Sequence, residues 1–467
     1  MQRQLEIDLA AWKDRPDRRP LIVRGARQVG KTFLVEKFGR RCFESVLTVN
    51  LEQKESLHRL FEGLEPERII QELGLYFNRS VVPGRTLLFL DEIQACPKAL
   101  AALRYFSEQL PGLHVIAAGS LLDFALREFK YSLPVGRIEY LYLYPLTFSE
   151  FLSALGEDGL VGWLGNYHTG DPFSETADLR LREILRLYYF IGGMPAAVAA
   201  YREHRDLVEV QRVLTSIITT LQDDFAKYGT RAQQRNMRRV LRHIPRSIGR
   251  KVRYVNIDPE TRSRDLRAAL ELLELAGFIS LVRHSSANGV PLGAEASDER
   301  FKPLLLDIAL GGNLCGFSLP DNAELLTVQE GRLAEQFVGQ ELRAIGPAFA
   351  ERALYYWHRE AKNANAEVDY LWTREGEVVP VEVRAGTSGS LKSLHVFLAE
   401  KARRFAVRFN MDRPSLGEFS VEISGRSGVK SVSFTLLSLP LYLAGQMDRL
   451  IREHAPDRTF GSSAGQA

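Results

Sequence analysis

A chain of 467 residues exceeds what one ordinary hydrophobic core supports and points to about three domains. An apolar fraction of 45%, a charged fraction of 25% and a net charge of +3 fit a globular protein and exclude one that is basic or acidic throughout. The cysteines Cys42, Cys96 and Cys315 are scattered and lack C-x-x-C spacing. That argues against a disulfide framework or a zinc site. With no leader pattern and no apolar run near the ~18 residues of a membrane span, a reducing cytoplasm and no membrane partner are expected.

The first element is an apolar strand, LIV, followed by GARQVGKT and the helical pattern FLVEKF. GARQVGKT is a full match to G-x-x-x-x-G-K-[ST] in the strand–loop–helix context that a phosphate-binding loop needs. Gly25 and Gly30 let the backbone wrap closely around phosphates. The N–H groups of Gly25, Ala26, Arg27, Gln28, Val29, Gly30, Lys31, Thr32 and Phe33 then face the anion at a helix N-terminus. Lys31 reaches the β- and γ-phosphates and the Thr32 hydroxyl suits Mg²⁺.

SVLTVNLE (Ser45 to Glu52) reads as a second strand and TLLFLDEIQ (Thr86 to Gln94) as a third. The run Leu87 to Leu90 fits a strand buried on both faces of a parallel sheet, ending in Asp91 and Glu92 where such sheets bind ligands. Asp91 suits the Mg²⁺ shell beside Thr32, and Glu92 suits the base that activates water. An acidic strand end that caps the next helix is the plainer alternative. HVIAAGS is a fourth strand whose Ser120 is placed to touch the γ-phosphate or the water. IEYLYLY, within Ser132 to Phe151, alternates like a fifth strand. Arg137 just before it is a candidate finger on a neighbouring subunit's nucleotide, or a surface arginine.

GARQVGKT, LDEIQ, AAGS, LPVGR with PLTFSEF, and GGMP (Gly192 to Pro195) occur in that order. This run resembles the AAA-type bacterial and archaeal ATPases that carry a C-terminal DUF4143 region. The resemblance implies an α/β fold: a P-loop parallel sheet of the ASCE type over residues 1–152 with a helical lid over 153–230. It implies ATP as ligand and ATPase chemistry. In the lid, Arg182 and Arg186 are the candidates for an arginine that senses the γ-phosphate, with surface roles as the alternative.

The next stretch, Arg231 to Arg253, holds nine basic residues and no acid. Arg231, Arg235, Arg238, Arg239, Arg242 and Arg246 recur at helical steps, opposite an apolar face of Met237, Val240, Leu241 and Ile244. A second amphipathic helix, Ser263 to Ala276, leads to a strand, a loop and a returning strand, FKPLLLDIAL. Helices followed by a hairpin suggest a winged helix-turn-helix over 231–320, which the resemblance also implies. Its cationic stripe (Arg235, Arg238, Arg239, Arg242, Arg246) suits DNA phosphates. A protein interface is the alternative.

From Gly331 the chain reads as a helix, GRLAEQFVGQELRAIG, then strands in YYWHRE and EVDYLWTREGEVVPVEVRAG, giving a domain over 325–450. The pattern Glu335, Asp369, Glu382-x-Arg384 resembles the PD-(D/E)xK nuclease superfamily, whose restriction-endonuclease-like α/β fold and metal site it implies. Glu382 and Arg384 share a strand face, and the carboxylates could converge on a second Mg²⁺. Arginine at 384 departs from the motif's lysine and, unlike lysine, does not give up its proton, so a degenerate fold used for binding or assembly, or an inert structural cluster, is the alternative. The tail 453–467 is polar and expected to be flexible.

The sequence thus predicts a Mg²⁺-dependent ATPase acting on DNA, able to form a homo-oligomer. An ATP-regulated metal-dependent nuclease and a nucleotide-switched interaction protein with little turnover are the alternatives.

Overall fold

The computed structural model describes residues 1–120, 122, 136–227, 229–314, 323–359, 366–385, 391–425 and 428–454. Ser132 to Val135, Cys315 and residues 455–467 lie outside them. Helix α1 (Leu5–Asp14) precedes a five-stranded parallel sheet of order β2-β3-β4-β1-β5. Its strands are β1 (Leu21–Arg24), β2 (Ser45–Asn50), β3 (Thr86–Asp91), β4 (His114–Ala118) and β5 (Glu139–Tyr142). The crossovers include α2 (Lys31–Cys42), α3 (Pro66–Phe77) and α4 (Pro97–Gln109). Every residue of β3 and β4 is buried, as their continuous apolar runs require of strands covered on both faces. β4 lies between β1 and β3, so the C-terminal ends of all three open on one cleft.

Helices α5 (Phe148–Leu155), α6 (Asp158–Asn166), α7 (Glu175–Ile191), α8 (Pro195–His204) and α9 (Leu207–Asp223) follow. α5 starts at a capping box, with Thr147 and Glu150 satisfying each other's backbone N–H. GGMP breaks the helices where Gly193 meets the Leu146 carbonyl, with no room for a Cβ. Pro195 then packs against Gly30 of the phosphate loop, so the helical segment covers that loop.

Helix α10 (Arg231–His243), the one-turn α11 (Tyr254–Ile257) and α12 (Ser263–Leu275) lead into the hairpin of β6 (Ile279–Ser285) and β7 (Ala296–Leu305). Helices α13 (Ile308–Leu314) and α14 (Ala323–Ala344) come next. The chain then runs through β8 (Tyr355–His358), β9 (Glu367–Arg374), β10 (Glu377–Val383), α15 (Lys392–Lys401), β11 (Phe405–Asn410), β12 (Ser415–Gly425), β13 (Gly428–Pro440) and α16 (Met447–Arg452).

Here the structure corrects the expected boundaries. β6 pairs in parallel with β8, so the hairpin forms one edge of an eight-stranded sheet, β12-β13-β11-β10-β9-β8-β6-β7. It is not a free wing, and 231–320 and 325–450 share one sheet. One apolar cluster runs from Leu5 on α1 to Ile451 on α16, because α14 inserts between the two halves. The returning strand stops at Leu305. Asp307 instead turns the chain into α13, accepting from Ala309 N at 3.0 Å and from Gly193 N at 2.6 Å. Glu453, expected in the flexible tail, is anchored by Arg449 at 2.8 Å. Among the described residues no single helix is long and apolar enough to cross a membrane.

Candidate functional site: a phosphate loop beside two carboxylates

The loop after β1 carries three residues with positive φ. Gly25 has φ 150°, and a Cβ there would lie 2.2 Å from the Leu143 carbonyl oxygen; Gly30 has φ 93°. Only glycine accepts the first position, where both the conformation and the approach forbid a side chain. Gln28 at φ 63° and Glu92 at 49° are non-glycine residues in the left-handed region, a strain that functional sites tolerate.

Lys31 folds back over its own loop and donates to the carbonyls of Gly25 (2.9 Å) and Ala26 (2.8 Å). Burial lowers its pKa to about 8, and the nearby Glu92 and Asp91 carboxylates oppose that fall. Thr32 is exposed, and its hydroxyl donates to Asp91 Oδ2 at 3.0 Å. Burial raises the Asp91 pKa, and the Thr32 hydrogen bond counters it. Ser120, at the end of β4, donates to Glu92 Oε2 at 3.2 Å; Gln94 Nε2 donates to the same oxygen at 2.5 Å. Arg27 Nε donates to Ser120 Oγ at 3.2 Å, and its Nη1 lies 2.5 Å from Asp224 Oδ2, just past α9. Phe33 is 59% exposed at the rim. Lys31, Thr32, Asp91, Glu92 and Ser120 therefore converge, although Thr32 and Asp91 are 59 residues apart.

Arg3 was not anticipated from the sequence. Its Nη1 donates to the Val29 carbonyl (3.0 Å), its Nη2 to the Tyr144 carbonyl (2.5 Å), and its Nε pairs with Glu150 (3.0 Å). It ties the phosphate loop to the cap of α5.

Arg137 does not join this site. It precedes the N-terminal end of β5, and Leu21 pairs with Glu139, so it lies at the end of the sheet opposite the phosphate loop. Its guanidinium pairs with Glu108 at 2.9 Å on the surface. A contact with nucleotide would require a second copy of the chain. Arg182 pairs with Asp178 at 2.8 Å, and Asp178 also accepts from Tyr442 Oη; Arg186 is exposed. Arg186 matches the surface alternative, whereas Arg182 is half-buried in its ion pair.

Helix α10 carries the expected cationic stripe as far as Arg242 and ends at His243; Ile244 and Arg246 lie in the turn that follows. Met237, Val240, Leu241 and Ile244 are buried, and Arg231, Arg235, Arg238, Arg239, Arg242 and Arg246 are exposed. Arg239 is partly engaged, 3.1 Å from Asp258.

The C-terminal carboxylates also converge, but on an ammonium. Lys302 of β7, 2% exposed, lies 2.8 Å from Glu335, 2.6 Å from Glu367 and 3.4 Å from Asp369. Burial lifts Glu335 to about 7 against the pull of Lys302. Burial also drives Glu382 well up; its Oε1 pairs with Arg384, and its buried Oε2 has no hydrogen-bond partner. Burial works against Glu367 too, but Lys302 and then Lys251 hold its carboxyl below the usual range. Among the described residues no group of three or more histidine, cysteine or acidic side chains is arranged to hold a metal. Glu335, Asp369, Glu382 and Arg384 as placed therefore do not fit the expected second Mg²⁺ site, because Lys302 fills its centre. Lys302 and Glu367 were missed; a lone lysine inside the apolar strand FKPLLL was the available signal.

Family models match in three blocks. Residues 17–152 match an AAA domain, 182–321 a domain of unknown function (DUF8612) and 330–424 a domain of unknown function (DUF4143). No curated protein matches the chain. Similar solved structures include the Walker-type ATPase of Pyrococcus abyssi, at 17% identity, 67% of this chain, 95% of that chain and a TM-score of 0.44. The Aeropyrum pernix ORC1 protein in complex with DNA shows 14% identity over 70% of this chain and 95% of its own, at a TM-score of 0.31. The Aeropyrum pernix ORC2 protein in ADPNP and ADP complexes shows 14% identity over 64% and 87%, at 0.34. The chain thus matches an AAA domain over residues 17–152 and a DUF4143 region over residues 330–424.

Proposed function

We propose that the chain binds ATP with Mg²⁺ at the Gly25–Phe33 loop, hydrolyses it, and uses the nucleotide state to govern contact with DNA. The observation that carries the ATPase reading is the meeting of Thr32 with Asp91, beside a Glu92 oriented by two donors. The Thr32 hydroxyl and Asp91 carboxylate are hard oxygen donors and fit Mg²⁺, which would neutralise charge on the phosphates. Lys31 would trade its loop carbonyls for phosphate oxygens. Glu92 Oε2 is occupied by Ser120 and Gln94, which leaves Oε1 to accept a proton from the attacking water. Glu92→Gln should bind ATP as the wild type does and release no phosphate above background; wild-type turnover in that variant refutes the base assignment.

The DNA reading rests on the exposed arginines of α10, whose charge suits sequence-independent phosphate contacts. A nucleotide-switched interaction protein is the competing outcome: ATP would change partner binding while phosphate release stays at background. The free thiols Cys42 and Cys96 suit a reducing cytoplasm.

A further inference from the structure

Arg27 belongs to the phosphate loop, yet its guanidinium is turned toward protein. Its Nε donates to Ser120 Oγ at 3.2 Å, and Ser120 donates to Glu92 Oε2 at 3.2 Å. These are the side chains at the end of the cleft where a terminal phosphate and its attacking water would lie. The other end of the guanidinium meets the Asp224 carboxylate at 2.5 Å, with Arg27 and Asp224 side chains 19% and 9% exposed. The contact is a single ion pair, Nη1 to Oδ2, so Asp224 neutralises Arg27 where an anionic ligand could do the same.

Removing Arg27 from Asp224 would not strand a buried charge. The other Asp224 oxygen, Oδ1, lies 3.5 Å from Lys227 Nζ, and Lys227 also pairs with Glu52 at 3.2 Å. A carboxylate with a second cation can release its first without the cost of an uncompensated charge. Of the other arginine candidates, Arg137 lies at the opposite end of the sheet, Arg182 is held on Asp178, and Arg186 is exposed on α7.

We propose that Arg27 is the side chain that contacts the γ-phosphate in this chain, and that Asp224, at the end of the lid helix α9, holds it back until ATP displaces the carboxylate. This rests on the nucleotide-binding reading above. ATP carries the competing anion and ADP does not, so the exchange distinguishes the two nucleotides. It also frees the segment Asp224–Lys227, which lies shortly before α10 in the chain.

The test compares fluorescent N-methylanthraniloyl ATP and ADP on the full chain, with single-turnover phosphate release, for wild type, Arg27→Ala, Arg27→Lys and Asp224→Asn. The wild type is expected to prefer ATP. Arg27→Ala should bring the ATP-to-ADP affinity ratio near one and slow release by about 10³-fold, with partial recovery in Arg27→Lys. Asp224→Asn should tighten ATP selectively, by about tenfold if nine-tenths of the molecules hold Arg27 back. An unchanged ratio in Arg27→Ala, or an equal shift of both nucleotides in Asp224→Asn, overturns the proposal. If the wild type binds ATP but releases no phosphate, the ATPase reading fails by itself and the affinity ratios still decide the role of Arg27. Circular dichroism identifies any variant that does not fold; Arg27→Lys, which keeps the charge, then carries the comparison.

Discussion

The ammonium of Lys302 lies 2.8 Å from the carboxylate of Glu335, joining the β6–β7 hairpin to the helix α14 that follows it. The same nitrogen touches Glu367 and Asp369, so one lysine compensates a cluster that would otherwise bury like charges. Lys302→Met should therefore destabilise the protein strongly, by about 3–5 kcal/mol, as loss of one partner of a buried pair does. Adding Glu335→Gln should recover part of that loss. Urea denaturation of the single and double variants reads both effects; a neutral Lys302→Met would mean the cluster contributes nothing to stability.

Lys302 also bears on the nuclease alternative. With an ammonium at the centre of the cluster, plasmid DNA incubated with the protein and Mg²⁺ or Mn²⁺ is expected to stay intact, with or without ATP. Cleavage lost in Asp369→Ala plus Glu382→Ala would reverse that expectation.

Glu341 on α14 is fully buried, accepts from Phe148 N at 2.9 Å, and has its pKa pushed up to about 8 by burial. A carboxyl raised in the folded state stabilises the fold fully below its unfolded value and loses that contribution as pH rises through the folded value. Melting temperature should accordingly fall between about pH 4.5 and 8 through this group. Glu341→Gln keeps an acceptor for Phe148 without the charge. It should flatten that slope and raise the melting temperature at pH 8 by several degrees. A slope identical to wild type would show that Glu341 does not titrate in this window.

Lys31 titrates in the opposite sense. Burial brings its pKa down to about 8, and a bound phosphate would favour the charged form. ATP affinity should be level below pH 8 and decline above it, by up to about one decade per pH unit, as binding comes to require proton uptake. Isothermal titration in two buffers of different ionisation enthalpy measures the uptake directly. No uptake at pH 9 would refute the role of Lys31 protonation.

The arginines of α10, with Arg246 in the turn after it, predict a salt signature. Reversing Arg238, Arg242 and Arg246 to glutamate should lower DNA affinity. It should also shallow the plot of log K against log salt by about 0.9 for each phosphate contact removed. Because these side chains are exposed and the opposite face holds the packing, the variant should melt like the wild type. An unchanged salt slope would assign the stripe another partner.

Much of the candidate site's layout was legible from residues alone, because its signals are local. GARQVGKT, the apolar run before Asp91-Glu92 and the strand before Ser120 each describe one strand and its end, and those ends meet in the cleft. The stripe on α10 was legible for the same reason: a 3.6-residue period places its arginines on one side whatever surrounds the helix. Partners across the fold were not legible. Lys302 meets Asp369 over 67 residues, Arg3 meets Glu150 over 147, and Arg27 finds Asp224 just past the end of α9. Whether the hairpin stood free or joined the large sheet depended on strand order, and which end of the parallel sheet held Arg137 depended on β5 running in the direction of β1. Periodicity states which face of an element is buried but not which element covers it. Composition, the phosphate loop and the amphipathic faces were therefore determined by the sequence itself. The shared sheet, the lysine at the heart of the acidic cluster and the carboxylate on Arg27 were decided only by tertiary packing, since burying charges forces them to find partners wherever the chain brings them together.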